Sequence, residues 1–202
     1  LDIQSWNVWD DAGRLVFSIG DGGALTQYEY DGADRVVRTT QYATAITTVI
    51  SPTVSSVSTQ LGSAALLSTS ASNRVTRNFY DRDGRKIASL DAEGFLTENT
   101  YDKSGRLGVT RRYQNSTNPT ARQNGSLASI RPATNSEDQV DRFFYDGRGQ
   151  LVGRVDAMNY LTRIRYNPRG QVLDETRLSD PIVGWVWWSD NFDALFLSLR
   201  PD

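Results

Sequence analysis

The stretch Tyr101-Asp102-Lys103-Ser104-Gly105-Arg106-Leu107 contains the pattern that decides the fold: an aromatic residue, Asp, two variable residues, Gly, Arg and an aliphatic residue. Exact or relaxed copies of this pattern occupy residues 9–15, 30–36, 80–86, 101–107, 145–151 and 166–172. The copies come in pairs, and the two aromatic residues of each pair are 21 positions apart: Trp9 and Tyr30, Tyr80 and Tyr101, Tyr145 and Tyr166. Such regular self-similarity indicates one supersecondary unit repeated along the chain.

The residue types of the pattern predict a tight chain reversal. A three-residue hairpin loop, a type I turn followed by a residue in the left-handed region, favours Gly at its third position. The flanking Asp and Arg then face each other across the two strands, where opposite charges contribute roughly 0.2–1 kcal/mol. The aromatic residue lies opposite the aliphatic one, and pairs such as Trp9 and Leu15 are expected to form a buried stripe. The residues with a predicted structural role in these turns are Asp10, Gly13, Arg14, Asp31, Arg35, Asp81, Gly84, Arg85, Asp102, Gly105, Arg106, Asp146, Gly149, Asn167 and Gly170.

The middle of each pair predicts a further reversal at the opposite end of the strands. Gly23, Gly94 and Asn159 occupy one position of the repeat, and Leu-Thr follows two residues later in each case. Gly and Asn tolerate positive φ better than other residues do. The chain therefore reverses about every ten residues, a spacing that fits strands of roughly five to eight residues. We predict an all-β fold of stacked antiparallel β-hairpins that form an extended twisted sheet, with an irregular or short helical C-terminal tail.

The repeats also predict the domain organisation. Residues 1–178 are assigned to a β-sheet domain with repeat pairs at 8–43, 77–114 and 141–178, and residues 179–202 to a non-repeat tail or cap. Insertions at 44–73 and 115–139 separate the pairs, and loops of this length are usually functional or disordered. The first insertion is rich in Ile, Val and Leu, so we expect partial order along the sheet. The second is polar and contains two prolines, so we expect less order there.

Composition excludes several classes of protein. The chain has 22 basic and 24 acidic residues, which argues against a nucleic-acid or polybasic membrane surface. Histidine and cysteine are absent, which excludes disulfides, Ser-His-Asp and Cys-His catalysis, and metal sites that need thiolate or imidazole. No apolar run is long enough for a membrane span, and the first residues show no signal-peptide pattern. We predict no metal, no cofactor and no nucleic-acid partner.

The six copies, joined by segments such as Asp91-Ala92-Glu93-Gly94-Phe95-Leu96-Thr97, resemble the Rhs/YD-repeat family over about residues 8–43, 77–114 and 141–178. In that family, long runs of such hairpins form a β-sheet that spirals into a hollow shell, as in insecticidal toxin complexes, bacterial polymorphic toxins and animal teneurins. The shell encloses a toxic C-terminal domain or presents a surface for adhesion and carbohydrate contact. Six units are too few to close a shell. The resemblance therefore implies a segment of a larger protein that is secreted or displayed on the cell surface.

Three functions follow as hypotheses, and the leading one is structural. The chain is expected to form a wall piece of a toxin-encapsulating shell or a cell-surface scaffold, without catalysis of its own. An open sheet has unpaired backbone groups at its edges, which favour pairing with another strand. The expected partners are therefore flanking YD repeats of the parent protein or, for the isolated chain, a second copy in a homo-oligomer.

The second hypothesis is a carbohydrate-binding surface module, in which aromatic rings stack on sugars. Its candidate residues are outward-facing aromatics, namely Tyr28, Tyr160, Trp185, Trp187 and Trp188. Aromatic residues are more often buried in a core than displayed for a ligand, so burial is the stronger expectation for each of them.

The third hypothesis is a glycosidase-like hydrolase with two carboxylates about 5–9 Å apart. Turn aspartates paired with arginines should have a lowered pKa, which does not suit a general acid. The candidates are therefore carboxylates outside the Asp–Arg pairs, namely Glu93, Glu98 and Asp156.

Overall fold

The computed structural model describes residues 5–46, 53–63 and 72–182. Twelve antiparallel strands dominate this part of the chain, and their order in the sheet is their order in the sequence. The strands are β1 (Trp6–Trp9), β2 (Leu15–Ile19), β3 (Leu25–Tyr30), β4 (Val36–Gln41), β5 (Arg74–Tyr80), β6 (Lys86–Leu90), β7 (Leu96–Tyr101), β8 (Leu107–Arg112), β9 (Gln139–Tyr145), β10 (Leu151–Val155), β11 (Leu161–Tyr166) and β12 (Val172–Arg177). The predicted all-β fold of successive antiparallel hairpins is confirmed.

The chain divides into two compact units. Unit 1 consists of residues 1–96 and 115–133, and unit 2 of residues 97–114 and 134–202. Most of the second insertion therefore belongs to unit 1, although it follows β8 of unit 2 in sequence.

Six loops of one type, here called the YD turns, connect the strands at one end. They span residues 10–14, 31–35, 81–85, 102–106, 146–150 and 167–171. In the turn that begins at Asp102, the Asp102 N–H donates to the Arg106 carbonyl at 2.8 Å and the Gly105 N–H donates to the Asp102 carbonyl at 2.9 Å. Gly105 has φ +79°, and Asp34 takes the same position in its turn with φ +59°. Asp is one of the few non-glycine residues that adopt this region at modest cost.

Three opposite turns, at residues 20–24, 91–95 and 156–160, close the strands at the other end. Here the apolar side chains are buried deepest. Ile19 faces Leu25 across one such turn and Val155 faces Leu161 across another, and all four are buried. The buried residues alternate with less buried ones along β2, β6 and β10, as expected for strands with one face on a core. The core of each unit therefore lies next to its opposite turns.

Among the residues that the structure describes, α-helices occur only in the insertions, and a 3₁₀ turn (Asp21–Gly23) lies in the first opposite turn. In the first insertion, α1 (Val54–Ser63) buries Val57 in a cluster with Phe17, Leu25 and Ile46. Part of this insertion is therefore ordered on the sheet, as expected.

The second insertion contains two one-turn helices, α2 (Pro119–Arg122) and α3 (Leu127–Ile130). Asn118 and Ser126 accept hydrogen bonds from backbone N–H groups of the first turns, which is the usual role of N-cap residues. Ile130 is buried at the end of α3. The expectation of less order in this insertion is therefore wrong, because capping and one apolar anchor compensate for its polar composition.

The predicted tail or cap begins at residue 179, and the structure describes it only as far as Ile182, which is buried beside Val155 and Leu161. Among the described residues, no helix has the length and apolar character needed to cross a membrane.

Candidate functional site

The aspartate of a YD turn holds both the turn backbone and the arginine. One carboxylate oxygen of Asp102 accepts from the backbone N–H groups of Ser104 and Arg106, at 2.8 and 2.9 Å. The other oxygen accepts from the Arg106 Nε at 2.7 Å. The same arrangement occurs in the turns that begin at Asp10, Asp31 and Asp81.

These hydrogen bonds lower the pKa of Asp10, Asp31, Asp81 and Asp102. For Asp10, the backbone N–H of Arg14 is the largest contribution, followed by the Arg14 side chain. For Asp31, the Arg35 side chain contributes most. These carboxylates are therefore ionised at neutral pH and suit ion pairing rather than proton donation.

The arginine of one YD turn contacts the tyrosine of the next. The guanidinium carbon of Arg14 lies 5.1 Å from the centroid of the Tyr30 ring, and that of Arg106 lies 4.8 Å from the Tyr145 ring. Arg35 and Tyr80 form a third such contact, at 4.4 Å. Cation–π contacts of this kind contribute about 0.5–1 kcal/mol at exposed sites.

The tyrosine hydroxyl completes this connection. It donates to the backbone carbonyl of the residue after the arginine, in the preceding hairpin: Tyr30 to Leu15 at 2.8 Å, Tyr145 to Leu107 at 3.0 Å, and at the equivalent position Tyr166 to Leu151 at 2.9 Å. We call the Arg–Tyr contact together with this hydrogen bond the inter-hairpin joint. Sequence analysis missed the joint. Five of the six aromatic residues of the repeat are Tyr, and this preference is the signal, because Phe would serve packing alone equally well.

A second repeated contact is a backbone hydrogen bond. It connects the segment that follows each repeat pair to the opposite turn within that pair. Ile46, Thr117 and Ile182 donate their backbone N–H to the carbonyls of Gly23, Gly94 and Asn159, at 2.9, 2.8 and 2.8 Å respectively. We call these the return bonds. The three donor residues are all buried.

Apolar side chains on the first and last strands are exposed, whereas the side chains at the same repeat position on interior strands are partly buried. Val172 and Leu173 on β12 are 59% and 64% exposed, whereas Leu15, Leu107 and Leu151 are half-buried at the same repeat position as Val172. Trp9 on β1 is 56% exposed, so the expectation that it belongs to a buried stripe is wrong. Among the described residues, no hairpin precedes β1 or follows β12 to cover these side chains.

The aromatic candidates for carbohydrate contact do not form one site in the described part of the chain. Tyr28 is half-buried on β3 of unit 1. Tyr160 lies in an opposite turn of unit 2, with the Arg177 guanidinium carbon 4.3 Å from its ring centroid. The other three candidates, Trp185, Trp187 and Trp188, lie outside the described residues.

The carboxylate candidates for hydrolysis are each engaged by a neighbouring group. Glu93 accepts a hydrogen bond from Arg74 at 2.6 Å, which holds the Glu93 pKa below its ordinary value. Glu98 accepts from the Tyr113 hydroxyl. Asp156 binds the Arg177 guanidinium at 2.9 Å and two backbone N–H groups of its own turn. Across residues 5–46, 53–63 and 72–182, no three Asp or Glu side chains are grouped to hold a metal ion.

Comparisons with known proteins find similarity in structure but not in sequence. No family model and no curated protein matches the chain. Among solved structures, a Photorhabdus luminescens Tc holotoxin pore with a TccC3 mutation matches with 15% identity and a TM-score of 0.53. The crystal structure of TcdB2-TccC3 matches with 16% identity and a TM-score of 0.55, and the form without the hypervariable C-terminal region with 15% and 0.54. Each match covers 86% of this chain and 8% of the other.

At these identities the likeness concerns the fold. The chain spans less than a tenth of the length of each of these proteins. The predicted resemblance to Rhs/YD repeats is confirmed at this level: the chain has the hairpin-sheet fold of the Rhs-repeat shell proteins of Tc toxins.

Proposed function

We propose that the chain is a structural segment, a wall piece of a toxin-encapsulating shell or of a cell-surface scaffold, without catalysis of its own. The inter-hairpin joint is the observation that carries this proposal. Each group of the joint and of the adjoining turn is engaged by another: the turn aspartate by the arginine, the arginine by the next tyrosine ring, and the tyrosine by a backbone carbonyl. A motif whose polar groups all bind one another leaves none for a ligand, and it suits the role of holding neighbouring hairpins together.

The exposed apolar side chains of β12 support the same proposal. At the interior strands, the carbonyl equivalent to that of Val172 accepts from the tyrosine of the following hairpin. A flanking repeat that brings such a tyrosine would cover Val172 and Leu173 and extend the sheet. A second copy of the chain would bring Trp9 to this position. Trp9 has no phenolic hydroxyl, so a second copy would supply backbone pairing and ring packing only.

Pairing at β12 is tested by hydrogen exchange and sedimentation velocity. The Leu178 N–H donates to the Leu161 carbonyl, and hydrogen-bonded residues alternate along an antiparallel strand. The N–H groups of Glu175 and Arg177 therefore point away from β11, on the side of the β-bulge at Leu173 where the register is regular. In the isolated chain at tens of micromolar, we expect association that protects these two amides from exchange as concentration rises.

A proline substitution provides the matched comparison. Glu175→Pro removes an outward N–H from β12 and is expected to weaken the association. The control is Lys103→Pro, because Pro168 already occupies the corresponding position of another YD turn. A chain that stays monomeric, with fast exchange at these amides at every concentration, would contradict β12 as a pairing edge.

A further inference from the structure

A cleft of about 390 Å³ in unit 1 lies between β3, β4, β5 and the loop that follows α2. Its lining includes Glu29, Arg38, Arg77, Gln123 and Asn124. A third arginine of the lining, Arg35, belongs to a YD turn and contacts Tyr80, but Arg38 and Arg77 belong to no such contact between hairpins among the described residues.

The two arginines face each other directly. Arg38 on β4 and Arg77 on β5 are cross-strand partners, a position in which like charges destabilise a sheet. The Arg38 side chain is only 16% exposed. Burial, followed by the charge of Arg38, lowers the pKa of Arg77.

The second insertion covers the arginines with neutral groups. The Gln123 and Asn124 side-chain oxygens accept from Arg38, and the carbonyls of Arg122 and Gly125 accept from Arg77 at 3.1 and 2.8 Å. These groups satisfy several N–H donors but provide no negative charge.

The carboxylates of the cleft do not complete the compensation. Glu29 approaches the Arg38 Nε only to 3.7 Å, which is too long for a hydrogen bond, and this Nε is buried without a partner in the described structure. Asp31 is bound by Arg35 within its own turn. Glu29 therefore offsets only one of the two positive charges, and one buried donor has no hydrogen-bond acceptor in the described structure.

The repeat does not require this pair of arginines. At the equivalent position of unit 2, Arg142 on β9 faces Val109 on β8. A valine is therefore compatible with the fold where unit 1 has Arg38. Arg38 is therefore not required by the repeat, and its hydrogen bonds to Gln123 and Asn124 bring it neutral partners but no compensating charge.

We propose that this cleft binds an oxyanion, a carboxylate or a phosphate-type group, between the guanidinium groups of Arg38 and Arg77. Arginine is suited to such ligands because its planar array of donors matches two oxygens of one anion. The negative charge would offset the repulsion between the two arginines. This site is independent of the wall role proposed above.

Isothermal titration calorimetry with inorganic phosphate and, separately, with acetate tests the proposal at constant ionic strength. Binding of either anion to the wild-type chain is expected, and the stronger of the two identifies the ligand chemistry. Arg38→Val, which copies Val109 of unit 2, is expected to weaken binding by about tenfold or more, because a charge-assisted contact is lost. The control Arg154→Gln removes the same charge from an exposed position on β10 and should leave binding unchanged.

Glu29→Gln gives an effect of opposite sign. The substitution removes the negative charge nearest Arg38, so anion binding should become several-fold tighter, a result that misfolding cannot produce. Binding that is absent for both anions, or that is the same in the wild type, Arg38→Val and Glu29→Gln, would overturn the proposal.

Discussion

The aspartate of a YD turn both accepts hydrogen bonds from the turn backbone and forms an ion pair with the arginine. The turn at Asn167 keeps the first role and lacks the second. Asn167 replaces Asp in the last turn, and its side-chain oxygen still accepts from the backbone N–H groups of Arg169 and Gln171. Its amide N–H also donates to the Gln171 side chain at 2.8 Å. The turn therefore forms without charge, and the ion pair is an additional contribution in the turns that have Asp and Arg.

This separation predicts the effect of Asp31→Asn on pH dependence. The folded-state pKa of Asp31 lies below its unfolded value of about 3.9, so its contribution is present above that pH and is lost as pH falls through the lower folded value. Urea unfolding at pH 7 and pH 3 should show a smaller loss of stability on acidification for Asp31→Asn than for the wild type. Equal losses would mean that the ion pair adds nothing to stability.

The joint predicts a specific cost for one hydroxyl. Tyr145→Phe removes the hydrogen bond to the Leu107 carbonyl and keeps the ring under Arg106, so we expect a loss of about 0.5–1.5 kcal/mol in the free energy of unfolding. Tyr28→Phe is the control, because the Tyr28 hydroxyl makes no hydrogen bond in the described part of the chain. Chemical denaturation measures the free energy of unfolding of both variants. Equal losses would show that the Tyr145 hydroxyl does not contribute to the stability of the joint.

At the scale of elements, two turn glycines with similar φ differ in their surroundings. Gly13 has φ +77° with no atom near the position of an added Cβ, whereas at Gly23, with φ +80°, a Cβ would lie 1.9 Å from the Ile46 carbonyl oxygen. Gly13→Ala should therefore cost about 1–2 kcal/mol, the strain of the left-handed region. Gly23→Ala should cost more and break a return bond.

Hydrogen exchange at the Ile46 amide distinguishes these two effects. Its protection should fall in Gly23→Ala and persist in Gly13→Ala when both are compared at equal global stability. If protection at Ile46 is the same in both variants, the return bond does not anchor the chain after β4.

The hairpins could be predicted from sequence because their determinants are local. The distance from Asp102 to Arg106 is four residues, and the chemistry of Gly105 fixes the loop between them. The return bonds could not be predicted, because their donors, Ile46, Thr117 and Ile182, take part through the backbone N–H and not through their side chains. A backbone N–H has no signature in the sequence.

At the scale of the whole molecule, the missed features depend on contacts distant in sequence. Arg38 and Arg77 become partners across β4 and β5 only after the first insertion has been passed, and the residues that cover them, such as Gln123, come from the second. The second insertion has a polar composition, and polar side chains are the ones that can accept hydrogen bonds from the two arginines. The cleft was therefore visible only once strand register and insertion placement were known.

The two units offer a test of how stability is distributed along the repeat. Leu25 in unit 1 and Leu161 in unit 2 occupy the same repeat position, and both are buried. Each Leu→Ala substitution should cost about 2–5 kcal/mol where it acts. In repeat proteins, stability is approximately a sum of unit and nearest-neighbour contributions, so the loss should be concentrated near the substitution. Hydrogen exchange should show faster opening of β2–β4 in Leu25→Ala and of β10–β12 in Leu161→Ala. Uniform acceleration over all twelve strands in both variants would show instead that the chain unfolds as a single cooperative block.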